Sequence, residues 1–198
     1  MKDDYNVPLV IKVLRFVDRK KRIWKRKMHS DAKSYYRSYV ANDRVSPLNE
    51  QLIHDVLSYN PKSVFEFGCG VGRNLELLKE KVANIMGIDI SERAIAIASK
   101  KSLNVLLGDE TKLQTIKNQD VVFTCSVLDH IKEIDGIIVE LKRIANMAIV
   151  IAETNSEIGK FYYAHDYESF GFVKTDYVFI SNQAKREAIY NIWHFKIK

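Results

Sequence analysis

The residues whose types and spacing suggest chemistry lie at positions 64–73, which read VFEFGCGVGR. Gly68, Gly70 and Gly72 alternate along this segment, and Glu66 precedes the first of them. Glycines adopt positive φ readily and lack a Cβ, so a ligand can lie close to their main chain. A carboxylate at position 66 attracts an ammonium or sulfonium group and repels a phosphate. The segment predicts a loop that binds a nucleotide-like ligand, and a tight turn without a ligand is the alternative.

The glycine spacing separates this loop from dinucleotide-binding loops. Those loops use G-x-G-x-x-G to bring a pyrophosphate onto the start of a helix. Position 73 of this chain is an arginine, so the last glycine of that pattern is missing. We therefore do not expect a site for NAD.

Two further apolar segments each end in an acid. Residues 85–91, IMGIDIS, contain Asp89 about twenty residues after the first glycine, where a carboxylate can accept hydrogen bonds from ribose hydroxyls. Residues 105–110, VLLGDE, contain Asp109, which can accept a hydrogen bond from the exocyclic amine of an adenine. Ribose and adenine belong to one nucleoside, so both acids are expected at one ligand.

The elements that must position these groups are strands of a parallel sheet. A fourth apolar segment, 120–128, ends in small residues, and a fifth covers 147–153. The segments recur at the intervals of a βαβ array, and parallel strands gather their carboxyl ends at one ligand-binding edge. Two β-rich runs at 172–182 and 188–198 predict an antiparallel hairpin at the C-terminal end of the sheet.

The series EFGCGVG, GIDIS, LGDE and VVFTCSVLDHI resembles the cofactor motifs of class I S-adenosylmethionine-dependent methyltransferases, over about residues 63–198. The resemblance implies an α/β Rossmann-like fold, with a mostly parallel sheet, an antiparallel C-terminal hairpin and helices on both faces. It divides the chain into a basic helical N-terminal arm or lid, residues 1–45, and an S-adenosylmethionine-binding domain, residues 46–198. It says almost nothing about the methyl acceptor.

The resemblance also implies a place for each motif residue. Glu66 would lie near the methionine ammonium, Asp89 would hold the ribose hydroxyls, and Asp109 would face the adenine amine. The glycines would pass along the methionine and ribose, and the residues after the fourth strand would line the wall near the sulfonium. The expected cofactor-binding residues are Glu66, Gly68, Cys69, Gly70, Gly72, Asn74, Asp89, Ile90, Gly108, Asp109, Glu110, Ser126 and Val127.

Three residues are candidates for a general base. The cofactor supplies an activated methyl group, so the protein must align the acceptor and, for a hydroxyl, take its proton. His130, Glu153 and His165 follow the fourth and fifth strands, where a base would face the sulfonium. Each also has a structural interpretation: His130 as a packing residue at a helix start, Glu153 as a brace for a loop, and His165 as a solvent-facing ring.

Six residues are candidates for acceptor binding. The segment before the first strand folds over the cofactor in many related enzymes, and its tyrosines would help to form the acceptor pocket. A partly buried helix edge has the same tyrosine pattern, and an exposed arginine is the ordinary interpretation of Arg44. The candidates are Tyr36, Tyr39, Arg44, Asp129, Tyr162 and Tyr163.

Some chemistries are disfavoured by the residues present. The fourth strand ends in TCSV and lacks the Asn/Asp-Pro-Pro-aromatic tetrad of many enzymes that methylate base amines. Cys69 and Cys125 are interpreted as two small buried thiols rather than a disulfide or a covalent nucleophile, and Cys125 is expected to line the pocket. His and Cys do not occur at metal-ligand spacing, so no metal is expected.

The positive charge is concentrated in the N-terminal arm. Residues 1–44 hold 13 Lys and Arg against 5 Asp and Glu, while the whole chain has a net charge of +6. An apolar stripe from Val10 to Met28 predicts a basic amphipathic helix. Its basic face can be simply solvated, or it can contact nucleic acid, an anionic membrane surface or a phosphorylated substrate.

Composition and a second resemblance set the functional expectation. A chain of 198 residues suits one α/β domain, and it has no apolar run of membrane-spanning length and no secretion signal, so we expect a cytoplasmic protein. The runs VVFTCSVLDHI, VIAE and FYYAHDYE resemble methylases associated with bacterial surface-sugar biosynthesis. The expected acceptor is therefore a sugar or related small molecule, with O- or N-methylation. An RNA methyltransferase that uses the arm, or a non-catalytic cofactor-binding regulatory protein, are the alternatives, and the oligomeric state is left open.

Overall fold

The structure is a computed structural model that describes residues 31–154, 159–183 and 186–197. The predicted basic amphipathic helix, with its apolar stripe from Val10 to Met28, lies outside the described residues. Within them, no helix combines the length and the apolar character needed to cross a membrane.

The centre of the fold is a seven-stranded sheet with the order β3-β2-β1-β4-β5-β7-β6. Strands β1 to β5 run parallel to one another, whereas β7 is antiparallel to both β5 and β6. This confirms the mostly parallel sheet with a C-terminal hairpin that the sequence predicts. The strands are β1 Ser63–Phe67, β2 Asn84–Asp89, β3 Val105–Leu107, β4 Gln119–Cys125, β5 Ala145–Thr154, β6 Val173–Gln183 and β7 Arg186–Lys196.

The described helices are α1 Ala32–Arg37, α2 Pro47–Leu57, α3 Arg73–Leu78, α4 Glu92–Lys100 and α5 Asp135–Ile144. Short 3₁₀ turns cover Glu110–Thr115 and Leu128–His130. Helix α2 begins with a capping box, in which the Ser46 side chain accepts from the Asn49 backbone and the Asn49 side chain accepts from the Ser46 backbone. Pro47 follows at the first helical position, where its missing N–H costs nothing.

Two apolar layers cover the sheet. On one face, Val64, Val121 and Val150 pack with the inner sides of α2, α3 and α4. On the other face, Phe65 and Val122 pack with α5 and the turn Glu110–Thr115. Adjacent strand residues such as Val64 and Phe65 are therefore both fully buried, which explains why these strands read as continuous apolar runs.

The strand order fixes where a ligand can bind. The chain passes from β1 outward through β2 to β3, and then crosses β1 to continue as β4. The loops after β1 and β4 leave the same edge of the sheet in opposite directions, which opens a crevice at their carboxyl ends. The glycine segment and the segment 126–130 are these two loops.

Candidate active site

A cavity of about 630 Å³ lies at this crevice. The ends of β1, β2 and β4 form its floor, and α1 with residues 159–163 contributes to its other walls. Most of the expected site residues line it. Those that line it are Tyr36, Tyr39, Glu66, Gly68, Cys69, Gly70, Asn74, Asp89, Ile90, Gly108, Asp109, Glu110, Ser126, Val127, His130, Tyr162 and Tyr163.

The three glycines of the loop after β1 do different things. All three have positive φ, at +78° for Gly68, +54° for Gly70 and +78° for Gly72. A Cβ on Gly68 would collide with Val127, and a Cβ on Gly72 would collide with Leu103. A Cβ on Gly70 would meet no atom within 4 Å, because this residue faces the cavity. The structure thus places Gly72 against the packed interior and outside the cavity lining, although the resemblance implied cofactor contact for it.

Asp89 shapes this loop directly. One carboxylate oxygen accepts from the Gly70 backbone N–H at 2.8 Å, and the other accepts from the Ser91 backbone N–H at 2.8 Å. Burial raises the pKa of Asp89, while these backbone donors act in the opposite direction. The acid therefore holds the loop in its turn and also borders the cavity, where the predicted contact with ribose hydroxyls would lie.

Glu66 presents an unusual carboxylate to the cavity. The residue is 1% exposed, and its Oε1 accepts from Asn74 Nδ2 at 2.6 Å. Oε2 is buried and has no hydrogen-bond partner among the described residues. Burial raises the pKa of Glu66 to about 8. A cationic ligand group beside Oε2 would satisfy this oxygen and stabilise the charged carboxylate.

Asp109 caps the turn that begins at Glu110. Its carboxylate accepts from the Thr111 hydroxyl at 2.6 Å and forms an ion pair with Lys33 at 2.9 Å. The hydrogen bonds from Lys33 and then Thr111 hold the pKa of Asp109 well below its usual range. Asp109 thus stays ionised at the part of the cavity where an adenine amine is expected. Its partner Lys33, which also contacts Glu110, was not among the residues predicted from the sequence.

Glu153 lies behind the cavity wall. It is fully buried, does not line the cavity, and accepts hydrogen bonds from the Thr124 hydroxyl and from the backbone N–H groups of Val127, at 2.9 Å, and Asp129, at 3.3 Å. Burial raises the pKa of Glu153 to about 7. The contacts match the bracing role, and the structure does not bring this candidate base to the cavity.

Asp129 and His130 form a pair in the loop after β4. The Asp129 carboxyl is fully buried and does not line the cavity, and burial followed by the charge of Glu153 raises its pKa well above the usual value. Its Oδ1 lies 3.4 Å from Nε2 of His130. Nδ1 of His130 donates to the Phe161 carbonyl at 2.8 Å, and the ring stacks on Tyr36 with centroids 4.3 Å apart. His130 borders the cavity through its ring, whereas Asp129 supports it from behind.

His165 is held away from the cavity. Its Nε2 lies 2.9 Å from the Ile131 carbonyl and 3.1 Å from the Leu128 carbonyl. Carbonyls only accept, so Nε2 carries a proton and the ring stabilises the end of the turn Leu128–His130. The structure does not place His165 where a base for the acceptor is expected.

The part of the cavity next to α1 and residues 159–163 is mainly aromatic. Tyr35 packs on Phe161 with centroids 5.6 Å apart, which joins α1 to the segment after β5. Tyr190 of β7, 4% exposed, also lines the cavity. Arg44 does not line it; its backbone carbonyl accepts from Arg73 at 3.1 Å, and its backbone N–H donates to Asn42 Oδ1 at 3.0 Å. Sequence reasoning missed Tyr190, because no motif surrounds it and only the antiparallel register of β7 brings it to this edge.

The two cysteines lie at the cavity as free thiols. Cys69 and Cys125 are both free and both line the cavity. Among the described residues, no group of three or more His, Cys, Asp or Glu side chains is arranged to hold a metal ion.

Comparison with known proteins gives a family match for part of the chain. Residues 65–147 match a family model described as a methyltransferase domain. This part of the chain is a methyltransferase domain. A ubiquinone biosynthesis O-methyltransferase of Hydrogenovibrio crunogenus is 29% identical over 108 residues, which are 50% of this chain and 45% of that protein. The chain thus spans about half the length of this curated relative.

Solved structures agree with the fold of this methyltransferase domain. Magnesium protoporphyrin IX methyltransferase from Synechocystis PCC 6803 with bound SAM has a TM-score of 0.64 at 17% identity, covering 86% of this chain and 99% of that chain. TehB from Haemophilus influenzae has a TM-score of 0.67 at 15% identity, covering 75% and 62%. The N-methyltransferase NodS from Bradyrhizobium japonicum, in complex with S-adenosyl-L-homocysteine, has a TM-score of 0.61 at 15% identity, covering 75% and 88%.

The residues of the methyltransferase domain fit S-adenosylmethionine. The unpartnered Oε2 of Glu66 suits the ammonium of the methionine part. The open side of Gly70 leaves room for the ligand next to the loop, and Asp89 borders the cavity where a ribose would follow.

Proposed function

We propose that this protein transfers a methyl group from S-adenosylmethionine to a sugar or a related small metabolite, on an oxygen or a nitrogen atom. The observation that carries the proposal is a single cavity whose floor holds the cofactor residues and whose opposite wall holds tyrosines. Both reactants can therefore meet without a further domain. The named relatives are consistent with small acceptors, since their descriptions include ubiquinone biosynthesis and magnesium protoporphyrin IX.

The aromatic wall supports a small ring-shaped acceptor. Tyr36, Tyr39, Tyr162 and Tyr163 all line the same cavity. An aromatic face packs against the apolar face of a sugar ring, while phenol groups exchange hydrogen bonds with its hydroxyls. Helix α1 lies across the cavity opening, which restricts the space available to a large folded acceptor.

In this mechanism the cofactor supplies a methyl group on a positively charged sulfur, and S-adenosylhomocysteine is the product. The chain binds and orients the two reactants. Glu66 would hold the ammonium, Asp89 would fix the loop and meet the ribose, and Val127 would close the wall near the sulfur. Alignment of this kind contributes up to about 7–11 kcal/mol to a transfer reaction.

A hydroxyl or amine acceptor loses a proton during methyl transfer, and a general base must accept it. Of the three candidate bases, His130 alone lines the cavity, so it is the one we propose to act on the acceptor. Its Nδ1 proton is fixed by the Phe161 carbonyl, and its Nε2 faces Asp129. Nε2 would take up the acceptor's proton, and the imidazolium formed in this way would lie beside Oδ1 of Asp129, 3.4 Å away.

The proposal is tested by transfer of isotopically labelled methyl from S-adenosylmethionine into a fractionated bacterial extract. Asp89→Ala serves as the control with a disrupted cofactor site. Label in the small-molecule or glycan fraction, absent with the control, supports a sugar-like acceptor. Label in RNA would contradict the small-molecule acceptor and favour the basic arm as an RNA-binding segment. Cofactor binding without label in any fraction would contradict the enzymatic proposal and favour a regulatory protein.

A further inference from the structure

We propose that Asn49 is a positioning residue for the cofactor, because a buried chain of amide groups runs from the start of α2 through Asn49 and Asn74 to Glu66. The chain would keep the Glu66 carboxylate turned toward the methionine ammonium. This inference rests on the proposed binding of S-adenosylmethionine. It assigns a function in ligand recognition to a helix cap that does not touch the cavity.

The contacts form one unbroken series. The Ser46 backbone N–H donates to Asn49 Oδ1 at 3.0 Å, and the Ser46 hydroxyl donates to the same oxygen at 2.7 Å. Asn49 Nδ2 donates to Asn74 Oδ1 at 2.9 Å. Asn74 Nδ2 then donates to Glu66 Oε1 at 2.6 Å. Asn49 is 1% exposed and Asn74 is 4% exposed, so water does not compete for these bonds.

The orientation of both asparagine side-chain amides follows from the backbone N–H of Ser46. A backbone N–H can only donate, so the side-chain oxygen of Asn49 must face Ser46 and its NH₂ must face Asn74. The oxygen of Asn74 is then turned toward Asn49, and its NH₂ is turned toward Glu66. A rotated Asn74 amide would set oxygen against carboxylate and NH₂ against NH₂, losing two bonds at once. The capping box of α2 therefore orients Asn74 so that its NH₂ group donates to Glu66.

That donor matters because Glu66 is buried. Burial alone favours the neutral acid, and the hydrogen bond from Asn74 opposes this shift of the pKa. With Oε1 held by Asn74, Oε2 remains at the cavity without a described partner. A neutral or rotated Glu66 would lose most of its attraction for an ammonium group.

The decisive variant is Asn49→Asp, which has almost the same shape. An aspartate still accepts from Ser46, so the cap of α2 remains, but it offers oxygen instead of NH₂ to Asn74. Asn74 is then expected to rotate and to present its own oxygen to Glu66. Asn49→Ser is the second variant, since it can keep a polar cap while being too short to reach Asn74.

The measurement compares two ligands by calorimetry on wild type and variants. S-adenosylmethionine has the ammonium group, whereas 5′-methylthioadenosine has the same nucleoside without the amino acid part. We expect both variants to bind S-adenosylmethionine at least about tenfold more weakly, the scale of a charge-assisted bond. Their affinity for 5′-methylthioadenosine should stay within about twofold of wild type. The pH below which S-adenosylmethionine binding weakens should also rise, since Glu66 becomes easier to protonate.

Other results would overturn the inference in distinguishable ways. Equal losses for both ligands would show that Asn49 acts only through the general fold, and unchanged binding of S-adenosylmethionine would show that the chain is not needed. Wild-type protein that binds S-adenosylmethionine no better than 5′-methylthioadenosine would remove the role of Glu66 itself. Wild-type protein that binds neither would instead overturn the proposed function.

Discussion

Lys33 of α1 lies 2.9 Å from Asp109 and 2.6 Å from Glu110, so an ion pair joins the helix to the edge of the cavity where the adenine is expected. At the opposite side of the cavity, the ring of Tyr36 stacks on His130. Helix α1 is thus attached on both sides of the cavity. We therefore expect α1 to slow the release of a cofactor bound in the cavity.

We predict that Lys33→Met speeds release of the cofactor by about two- to fivefold at low salt. The lysine side chain is 41% exposed, and exposed ion pairs contribute only about 0.2–1 kcal/mol. The effect should disappear at about 1 M salt, where charges are screened within about 3 Å. Stopped-flow displacement of the cofactor measures the rate, with Lys100→Met, an exposed lysine of α4 outside the cavity lining, as the matched control. A difference that persists at high salt would contradict an electrostatic attachment.

The second attachment gives a separate prediction. Tyr36→Ala removes the ring that stacks on His130. A contact of this kind contributes about 0.5–1.5 kcal/mol of interaction free energy, so cofactor release should become about two- to tenfold faster. Tyr36→Phe keeps the stacked ring and should release the cofactor at the wild-type rate. The same displacement measurement tests both variants. If the phenylalanine variant were as fast as the alanine variant, the hydroxyl rather than the ring would hold the helix.

The glycine loop provides a matched pair of substitutions. Alanine at either Gly68 or Gly70 must adopt positive φ, at a cost of about 1–2 kcal/mol. Only Gly68→Ala also collides with Val127, so it should lower thermal stability much more than Gly70→Ala does. Gly70→Ala instead adds a methyl group on the cavity side and should weaken cofactor binding by at least about tenfold.

Thermal unfolding and calorimetry separate these two effects. The double variant Gly68→Ala with Val127→Ala removes the colliding side chain, and it should recover part of the stability that Gly68→Ala loses. Unchanged cofactor affinity in Gly70→Ala would mean that no ligand passes close to this residue.

The parts of the fold that were predictable are those with a local cause. Strands buried on both faces must be apolar throughout, and this is why β1 and β4 could be located from their composition alone. Glu66 and Asp89 were found because each lies at the end of such a strand, and the topology then gathers strand ends at one edge. A position at the end of a strand therefore predicts that the residue lies at this edge of the sheet.

What could not be predicted is the direction in which a side chain points. Glu153 ends β5 just as Asp89 ends β2, yet it faces the backbone of the loop after β4 instead of the cavity. Gly72 continues the spacing of Gly70 but packs on Leu103, which is distant in sequence. Lys33 could not be assigned because its partner, Asp109, is brought near only by the folding of α1 across the sheet. These contacts are tertiary, and no local pattern encodes them.

The buried acids behind the cavity wall predict how stability depends on pH. Burial raises the pKa of Glu153 from its ordinary value to about 7, and it raises the pKa of Asp129, which lies near the charge of Glu153. The folded protein therefore binds these protons more tightly than the unfolded chain. The contribution of Glu153 to stability is full below about pH 4.5 and is lost as the pH rises through about 7, with a slope of up to about 1.4 kcal/mol per pH unit. The contribution of Asp129 has the same sign, since its pKa is raised as well.

Asp129→Asn tests this dependence while keeping the shape of the side chain. The substitution removes one buried acid whose pKa is raised in the folded protein, so fewer protons are taken up on folding. Urea unfolding at several pH values between about 5 and 8 should then show a shallower loss of stability than in wild type. Asp176→Asn, at an exposed position of β6, should leave the slope unchanged. If the plots of stability against pH were parallel for wild type and Asp129→Asn, the proton uptake would arise at another group, and the assignment would be contradicted. Glu66 would then be the next buried acid to substitute.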